Sequence, residues 1–167
     1  NEGIAQCFRD GARVFAPGVR VTFVDGTRDE YRFMVWQAAD ACASLSDNFQ
    51  ETFGLVITEA MASGLPIIAS DWDGYRDQVV DGKTGMLIPT YMVSDASTDI
   101  TSRLLLDEMN YDQFLSESNQ TVIVDSHAAA AAFARLITDE ELRKRMGMAA
   151  RQRVLEQFTW AHVVRSY

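Results

Sequence analysis

Apolar residues recur along the chain at two spacings, one typical of helices and one typical of short buried strands. Helical spacing places Ile4, Cys7, Phe8 and Ala12 on one face of a first helix, which is expected to end at Pro17. Similar patterns predict helices over residues 29–39, 55–63 and 75–80. Short apolar runs predict strands over residues 19–24, 41–45, 66–69 and 84–89.

The predicted strands and helices alternate along the first half of the chain, with one strand roughly every 20 to 25 residues. This alternation is typical of a doubly wound parallel sheet with helices on both faces. We therefore expect an α/β, Rossmann-like fold, in which ligands bind beyond the carboxyl ends of the strands. The loops at residues 46–54 and 70–74 are predicted to lie at that edge.

Residues 90–126 interrupt the alternation. They are more polar, with helical patterns at residues 100–109 and 111–116 and a short extended run at 122–124. Their apolar residues favour packing over a free linker; these are Leu104, Leu105, Leu106, Met109 and Phe114. We predict an insertion that folds against the core, within a single domain spanning residues 1–167.

Helices are predicted to close the chain. Residues 127–137 form an alanine-rich helical pattern, and the run from Thr138 to Glu141 fits a capping box for the helix that follows. Thr159 is a candidate cap for one more short helix, from Trp160 onward.

Composition narrows the class of protein. Apolar residues make up 47% of the 167 residues and charged residues 23%, which is typical of a globular domain. The formal net charge of −9 disfavours nucleic acid and other polyanions as partners. The basic run from Arg143 to Arg145 is interpreted as a solvated helix face.

Cys7 and Cys42 lie in apolar contexts without metal-ligand spacing, so we expect buried free thiols in a reducing compartment. No apolar run reaches the ~18 residues of a membrane span, and no signal peptide is recognisable. The sequence starts at Asn1 within an amphipathic pattern, and we expect it to be part of a longer, cytoplasmic protein.

The segment from Glu51 to Glu59 carries the most chemistry. Two carboxylates stand eight positions apart, with Gly54 between them and a helical run to residue 63 behind them. A helix beginning near Phe53 or Leu55 would point its first amides at a ligand, and its dipole would favour an anion there. The carboxylates would accept hydrogen bonds from vicinal hydroxyls, such as those of a sugar.

A glutamate on a helix is most often a solvated residue, and Glu59 has to be weighed against that explanation. Its neighbours Val56, Ile57, Ala60 and Met61 make the helix apolar nearly all round. Because burying an unpaired carboxylate is costly, an acid at this position favours a binding role.

Several motifs occur together in one order. Ser46 precedes Glu51-x-Phe-Gly-Leu, and Glu59-Ala-Met-Ala-x-Gly-Leu-Pro-Ile-Ile-Ala is followed by Asp73-Gly74 and by Asp81-Gly-x-Thr-Gly-x-Leu-Ile-Pro. With them the chain resembles the retaining glycosyltransferases of the GT-B fold that carry an E-x7-E motif, and in particular their C-terminal, nucleotide-sugar-binding half. The resemblance runs from about residue 19 to 89 and again from about 124 to 160.

The resemblance implies roles for individual residues. Glu59 would hold the ribose hydroxyls of the donor, and the backbone at Phe53, Gly54 and Leu55 would meet the sugar hydroxyls and the pyrophosphate. Glu51 would be the catalytic-site carboxylate that orients the transferred sugar, without acting as a nucleophile. For Thr58 we expect only a bond to its own helix backbone.

The implied reaction is transfer of a sugar from a nucleoside-diphosphate sugar to an acceptor hydroxyl with retained anomeric configuration. The resemblance implies no metal and no cofactor, a separate N-terminal acceptor domain, and an acceptor that is a glycan, a lipid or a small molecule. It is compatible with peripheral attachment of the full-length protein to the inner membrane.

The resemblance is incomplete. The basic pair that serves the diphosphate in this group lies upstream of the present sequence, and residues 46–64 contain no Lys or Arg; the nearest are Arg32 and Arg76. Asp77 stands where the group often has glutamate, and residues 91–121 are longer than expected. For the isolated chain we therefore expect weak nucleotide binding at best and no turnover.

Two other classes of protein remain open. One is a different enzyme on the same fold, such as a sugar-nucleotide epimerase or a phosphorylase. The phosphorylase would need a lysine for pyridoxal phosphate, and neither Lys83 nor Lys144 has a suitable setting. The other is a non-catalytic binding or regulatory α/β module, although the clustered aspartates of a receiver domain are not seen.

Overall fold

The computed structural model describes residues 2–46 and 53–165, which divide into two compact units, residues 1–37 and 38–167. In the first unit, helix α1 (Glu2–Phe15) is followed by an irregular stretch and by helix α2 (Asp29–Ala38), whose last residue is counted with the second unit. The end of α1 before Pro17 agrees with the prediction.

The strand predicted over residues 19–24 is wrong. A strand needs a neighbouring backbone for its ladder of hydrogen bonds, and the described residues of this unit provide no second strand. Val21 and Phe23 instead line an open apolar groove together with Cys7 and Phe8 of α1. Cys7 is exposed, contrary to the expectation of a buried thiol.

The second unit is built on a three-stranded parallel sheet. Its strands are β1 (Cys42–Ser44), β2 (Ile67–Ser70) and β3 (Gly85–Ile88), in the order β1-β2-β3. Helix α3 (Leu55–Ala62) connects the first two strands, and helix α4 (Tyr75–Gln78) connects the second to the third. The structure confirms the predicted α/β class and the predicted order of these five elements.

The remaining elements follow β3 in the chain. A short antiparallel pair, β4 (Thr90–Met92) and β5 (Val122–Val124), brackets helices α5 (Ser94–Leu105) and α6 (Tyr111–Asn119). Three helices close the described chain: α7 (Ser126–Thr138), α8 (Glu140–Gln157) and α9 (Trp160–Arg165).

The central strand β2 is buried along its whole length. Ile68 belongs to a core cluster with residues of β3, α7 and α8: Met86, Ile88, Ala129, Ala132, Leu136, Leu142 and Met146. Successive side chains of a strand point to opposite faces, so Ile67 and Ala69 point away from this cluster, and both are fully buried. Both faces of the sheet are therefore covered, with α3 in contact with β1 and β2.

Helix α8 packs closely on α3. A Cβ added at Gly147 of α8 would lie 3.0 Å from the carbonyl carbon of Gly64 and still closer to its oxygen. Arg151, one turn further along, donates a hydrogen bond of 2.6 Å from Nη1 to the carbonyl oxygen of Ala62. The carboxyl end of α3 is thus held against the middle of α8.

The N-terminus of α8 differs from the predicted capping box. Asp139 is the N-cap, and its carboxylate accepts a hydrogen bond of 2.8 Å from the Leu142 amide. The Thr138 hydroxyl donates instead to the carbonyl oxygen of Ala134 in α7. The helix begins next to where it was predicted, with a different capping residue.

Two basic side chains near the start of α8 bind groups of this chain. The Lys144 ammonium lies 2.7 Å from a Glu140 carboxylate oxygen, and Arg143 donates to the carbonyl oxygens of Leu136 and Ile137. Among the described helices, none has the length and apolar character that crossing a membrane requires.

Candidate functional site

The carboxyl ends of the strands meet at one edge of the sheet, and side chains link the loops that leave it. The Ser70 hydroxyl, at the end of β2, donates a hydrogen bond of 2.6 Å to the carbonyl oxygen of Ser46, just beyond β1. The hydroxyl of Tyr75, the first residue of α4, lies 2.8 Å from the Ser44 hydroxyl at the end of β1. This edge is where a ligand was predicted to bind.

Gly54 is the residue on which α3 starts. It has a φ of 78° and a ψ of 69°, in the left-handed region, and it is the N-cap of the helix. A Cβ at this position would come within 2.9 Å of Tyr75 Cδ1 and closer still to Cε1. Only glycine combines this backbone conformation with the close approach to the Tyr75 ring.

Gln78, at the end of α4, reaches the same turn. Its side chain is fully buried, and its Nε2 amide group donates to the carbonyl oxygens of Phe53 and Gly54, the latter at 3.3 Å. Its Oε1 atom accepts a hydrogen bond of 2.6 Å from the Thr58 hydroxyl. One buried amide therefore binds the turn before α3 and the first turn of the helix itself.

Thr58 corrects an expectation from the sequence. Its hydroxyl was expected to bond to its own helix backbone, whereas it donates to Gln78 of another helix. Sequence reasoning also missed Gln78 itself, which looks like one more polar residue in a short, mostly polar helix. No signal in the sequence separates it from its exposed neighbours Arg76 and Asp77.

The predicted donor-binding residues are grouped at this turn. Phe53 and Leu55 are exposed, Gly54 is buried beneath them, and Glu59 is half-buried one turn into α3. Side chains four residues apart lie on the same face of a helix, so Glu59 shares a face with Leu55, whose side chain is 70% exposed. Val56 is 40% exposed as well, so α3 has an open apolar side and is not enclosed all round.

Glu51, predicted to be the catalytic-site carboxylate, lies outside the described residues, as does the stretch of chain from 47 to 52. The residues on either side of this stretch, Ser46 and Phe53, are both at the carboxyl edge of the sheet.

Arg76 is the nearest arginine after the turn, and it is already paired. Its Nε atom lies 2.6 Å from a carboxylate oxygen of Asp71, and its Nη2 donates to the Asp71 carbonyl oxygen. Tyr75 is buried, and its hydroxyl lies within hydrogen-bond distance of the Ser44 hydroxyl.

The end of α8 completes a ring of contacts around the turn. Arg153 donates from Nε to the carbonyl oxygen of Gln78 and from Nη2 to that of Asp77, both at 2.7 Å. Its guanidinium lies 5.4 Å from the centre of the Phe158 ring. That ring meets the Phe53 ring edge to face, with centres 6.0 Å apart, and so returns to the residue that Gln78 holds.

The described residues hold no cluster of three or more His, Cys, Asp or Glu side chains that could bind a metal ion. Cys42 is buried, and desolvation raises the pKa of its thiol from 9.0 to about 11. It is therefore a poor nucleophile at neutral pH. Among the described residues, this edge carries backbone amides, hydroxyls and carboxylates.

Comparison with known proteins places these observations in a family. The family model described as glycosyl transferases group 1 matches residues 16–121, and a second, described as glycosyl transferase-like, matches residues 86–167. The matched ranges include every described element of the parallel sheet and the turn before α3.

The chain is also similar in sequence to curated proteins. The chain is 33% identical over 142 residues to a D-inositol 3-phosphate glycosyltransferase from Corynebacterium diphtheriae, covering 85% of this chain and 25% of that protein. It is 30% identical over 113 residues to an alpha-maltose-1-phosphate synthase from Mycolicibacterium smegmatis, covering 68% of this chain and 22% of that protein. The chain thus spans about a quarter of the length of these relatives.

A solved structure shares the fold. Sucrose-phosphate synthase from Thermosynechococcus elongatus superposes with a TM-score of 0.67 at 27% identity, over 96% of this chain and 32% of that one. The GT-B-type α/β architecture predicted from the motifs is therefore confirmed. Because the glycosyl transferases group 1 model matches residues 16–121 and the Corynebacterium diphtheriae relative is 33% identical over 85% of the chain, the chain belongs to the glycosyl transferases group 1 family.

Proposed function

We propose that the full-length protein transfers a sugar from a nucleoside-diphosphate sugar to an acceptor hydroxyl with retention of configuration, and that this chain binds the donor. The observation that carries the proposal is the turn at Gly54. It begins α3 at the carboxyl edge of a parallel sheet, with the first amides of the helix at that edge and Glu59 one turn further along. Family membership supports the reaction class.

The chemistry would depend on positioning and charge stabilisation. The first amides of a helix generally lack partners within it, and the helix dipole adds to their attraction for an anion. In α3 the Ile57 amide already donates to the Gly54 carbonyl oxygen, so the amides before it would meet the ligand. Glu59 would accept hydrogen bonds from the ribose hydroxyls, and Glu51 would orient the transferred sugar. Neither carboxylate would form a covalent bond to the transferred sugar, and the proposed reaction needs no metal.

The diphosphate charge would need more than these amides. Residues 46–64 contain no Lys or Arg, and Arg76 is paired with Asp71. Basic groups from the rest of the full-length protein would supply the remaining compensation. We therefore propose that the isolated chain binds nucleotides weakly and transfers no sugar, and measurable transfer by the isolated chain would contradict this.

Ligand-induced stabilisation tests the donor proposal. UDP, GDP, ADP and their sugars are added to the full-length protein at up to ~100 times the expected Kd, where binding stabilises by about 2.7 kcal/mol. At least one of them should raise the melting temperature by several degrees. Glu59→Ala should abolish that rise, because the ribose would lose its acceptor.

Glu141→Ala is the matched control, since this glutamate lies on α8 with a side chain 84% exposed. It should leave the ligand-induced rise intact. A folded full-length protein that responds to none of the nucleotides would exclude the transferase proposal and favour a non-catalytic module. An equal loss in both glutamate variants would exclude the role assigned to Glu59.

A further inference from the structure

We propose that Gln78 is a positioning residue for the donor, and that its side chain sets the direction of the backbone amides of Gly54 and Leu55. The inference rests on the proposed function and adds to it a residue that no motif contains. Gln78 would not touch the ligand. It would act through the two peptide groups that it holds.

The carbonyl oxygens that Gln78 holds fix the direction of the amides in the same peptide groups. In a trans peptide the carbonyl oxygen and the amide hydrogen point in opposite directions within one plane. Gln78 Nε2 holds the carbonyl oxygens of Phe53 and Gly54, which belong to two consecutive peptide groups. The amide hydrogens of those same groups, on Gly54 and Leu55, therefore point away from Gln78.

Gly54 makes the neighbouring peptide groups easier to reverse. Glycine adopts positive and negative φ about equally well, so a peptide beside it is comparatively free to turn over. Turning over would exchange the directions of carbonyl and amide and present an oxygen where an anion is expected. A hydrogen bond from Gln78 to each carbonyl opposes that reversal. The Gly54 carbonyl oxygen also accepts a hydrogen bond of 3.0 Å from the Ile57 amide, so Gln78 acts together with α3 on the second peptide group and holds the first through Phe53.

The Gln78 side chain is buried, and its amide group is fully hydrogen-bonded. A methionine or leucine would fill a similar volume without removing a polar group from water, and burying an amide is unfavourable unless it is bonded. Here both Nε2 hydrogens and Oε1 have partners, and Thr58 fixes which end of the amide faces the carbonyls. An amide placed and satisfied in this way directs the backbone as well as filling space.

The test compares full-length proteins. The wild type is first titrated calorimetrically with UDP, GDP and ADP, and the diphosphate that binds is then compared with its own nucleoside. Gln78→Met keeps the volume and removes all three hydrogen bonds. We expect it to bind the diphosphate about tenfold more weakly and the nucleoside unchanged, because only the diphosphate would meet the two amides.

Thr84→Val is the matched control. Thr84 is buried, and its hydroxyl bonds to the Val80 backbone at the opposite end of β3 from the site. This variant also loses a buried hydrogen bond, and it should bind both ligands as the wild type does. Equal weakening of diphosphate and nucleoside in Gln78→Met, or no weakening of either, would overturn the assignment.

Gln78→Glu adds a readout that a purely structural role would not change. Its carboxyl group donates to a carbonyl only when protonated, and burial against two carbonyl oxygens would raise its pKa. Its diphosphate affinity, relative to the wild type at the same pH, should recover as the pH falls from about 8 to about 5.5. A flat ratio across that range would contradict the proposal, and this series decides the matter if Gln78→Met does not fold.

Failure of this inference is distinguishable from failure of the proposed function. If the wild type binds none of the three diphosphates, the donor proposal fails first. If the wild type binds and the Gln78 variants match it, only the positioning role is lost.

Discussion

Gly54 is the residue at which backbone conformation and packing make the same demand. Its left-handed φ turns the chain into α3, and the Tyr75 ring occupies the space that a side chain would need. The Tyr75 hydroxyl is itself within hydrogen-bond distance of Ser44, so the ring cannot move away without disturbing the end of β1. A single missing side chain thus sets the distance between α3, α4 and the sheet.

Gly54→Ala should lower the free energy of unfolding by about 3 kcal/mol or more, since backbone strain and overlap with the Tyr75 ring add together. Gly64→Ala is the control, because Gly64 has a φ of 82° but open space around it. It should lose only the strain of about 1 to 2 kcal/mol. Urea denaturation of both variants measures the difference, and equal losses would show that the Tyr75 contact is unimportant.

At the residue scale, the sequence pointed to Gly54 as a turn former and missed residues that only tertiary contacts identify. A glycine between a loop and a helical run is visible as a turn former, and Gly54 is one. Gln78 and Arg153 are not visible in this way, because the hydrogen-bond partners described for their side chains lie 20 or more positions away in the sequence. Cys7 was wrongly expected to be buried because an apolar neighbourhood in sequence does not ensure a covered face.

At the scale of elements, α3 and α8 approach one another through glycine. A Cβ at Gly147 would overlap the Gly64 carbonyl group, so the two helices could not pack at their present distance. From the sequence alone, a glycine inside a long helical pattern is expected to destabilise that helix. The structure explains it as a contact that only a glycine allows.

Gly147→Ala should therefore reverse the usual effect of this substitution in a helix. The gain in helix propensity of about 1 kcal/mol should be outweighed, leaving a net loss of about 2 kcal/mol in denaturation. Gly11→Ala in α1, where nothing lies within 4 Å, should cause no loss. Stabilisation by Gly147→Ala would show that α8 shifts without penalty.

The sequence predicted strands well only where neighbouring strands exist. The buried apolar runs of the parallel sheet were located to within one residue at each end. The run at residues 19–24 has similar composition and forms no strand, because pairing is a property of two segments. Strand β4 was missed because its partner β5 lies about 30 residues further along the chain, and the residues of β4 alone do not show that a partner exists.

At the scale of the whole molecule, the C-terminal helices support the candidate site. Arg153 donates to the last carbonyl oxygens of α4, and its neighbour Phe158 packs on Phe53 beside the turn. The candidate site therefore depends on residues about 75 positions away in sequence.

Arg153→Met should weaken nucleoside-diphosphate binding by the full-length protein several-fold and lower its stability by about 1 to 3 kcal/mol, because two carbonyl oxygens lose a charged donor. Arg151→Met is the control on the same helix, since Arg151 bonds to the carboxyl end of α3, away from the turn. It should lower stability and leave binding unchanged. Equal effects of the two variants on binding would show that α8 acts only through overall stability.

The pairing of β4 with β5 bears on how the chain tolerates changes in length. Thr90 lies opposite Val124, and the Asp125 amide donates to the carbonyl oxygen of Pro89 at 2.9 Å, so the chain returns to the point from which it left. Residues between the two strands can therefore be gained or lost while β3 and α7 keep their spacing, and loop closure changes only slowly with loop length. We therefore expect the stretch carrying α5 and α6 to tolerate insertions and deletions without disturbing the parallel sheet.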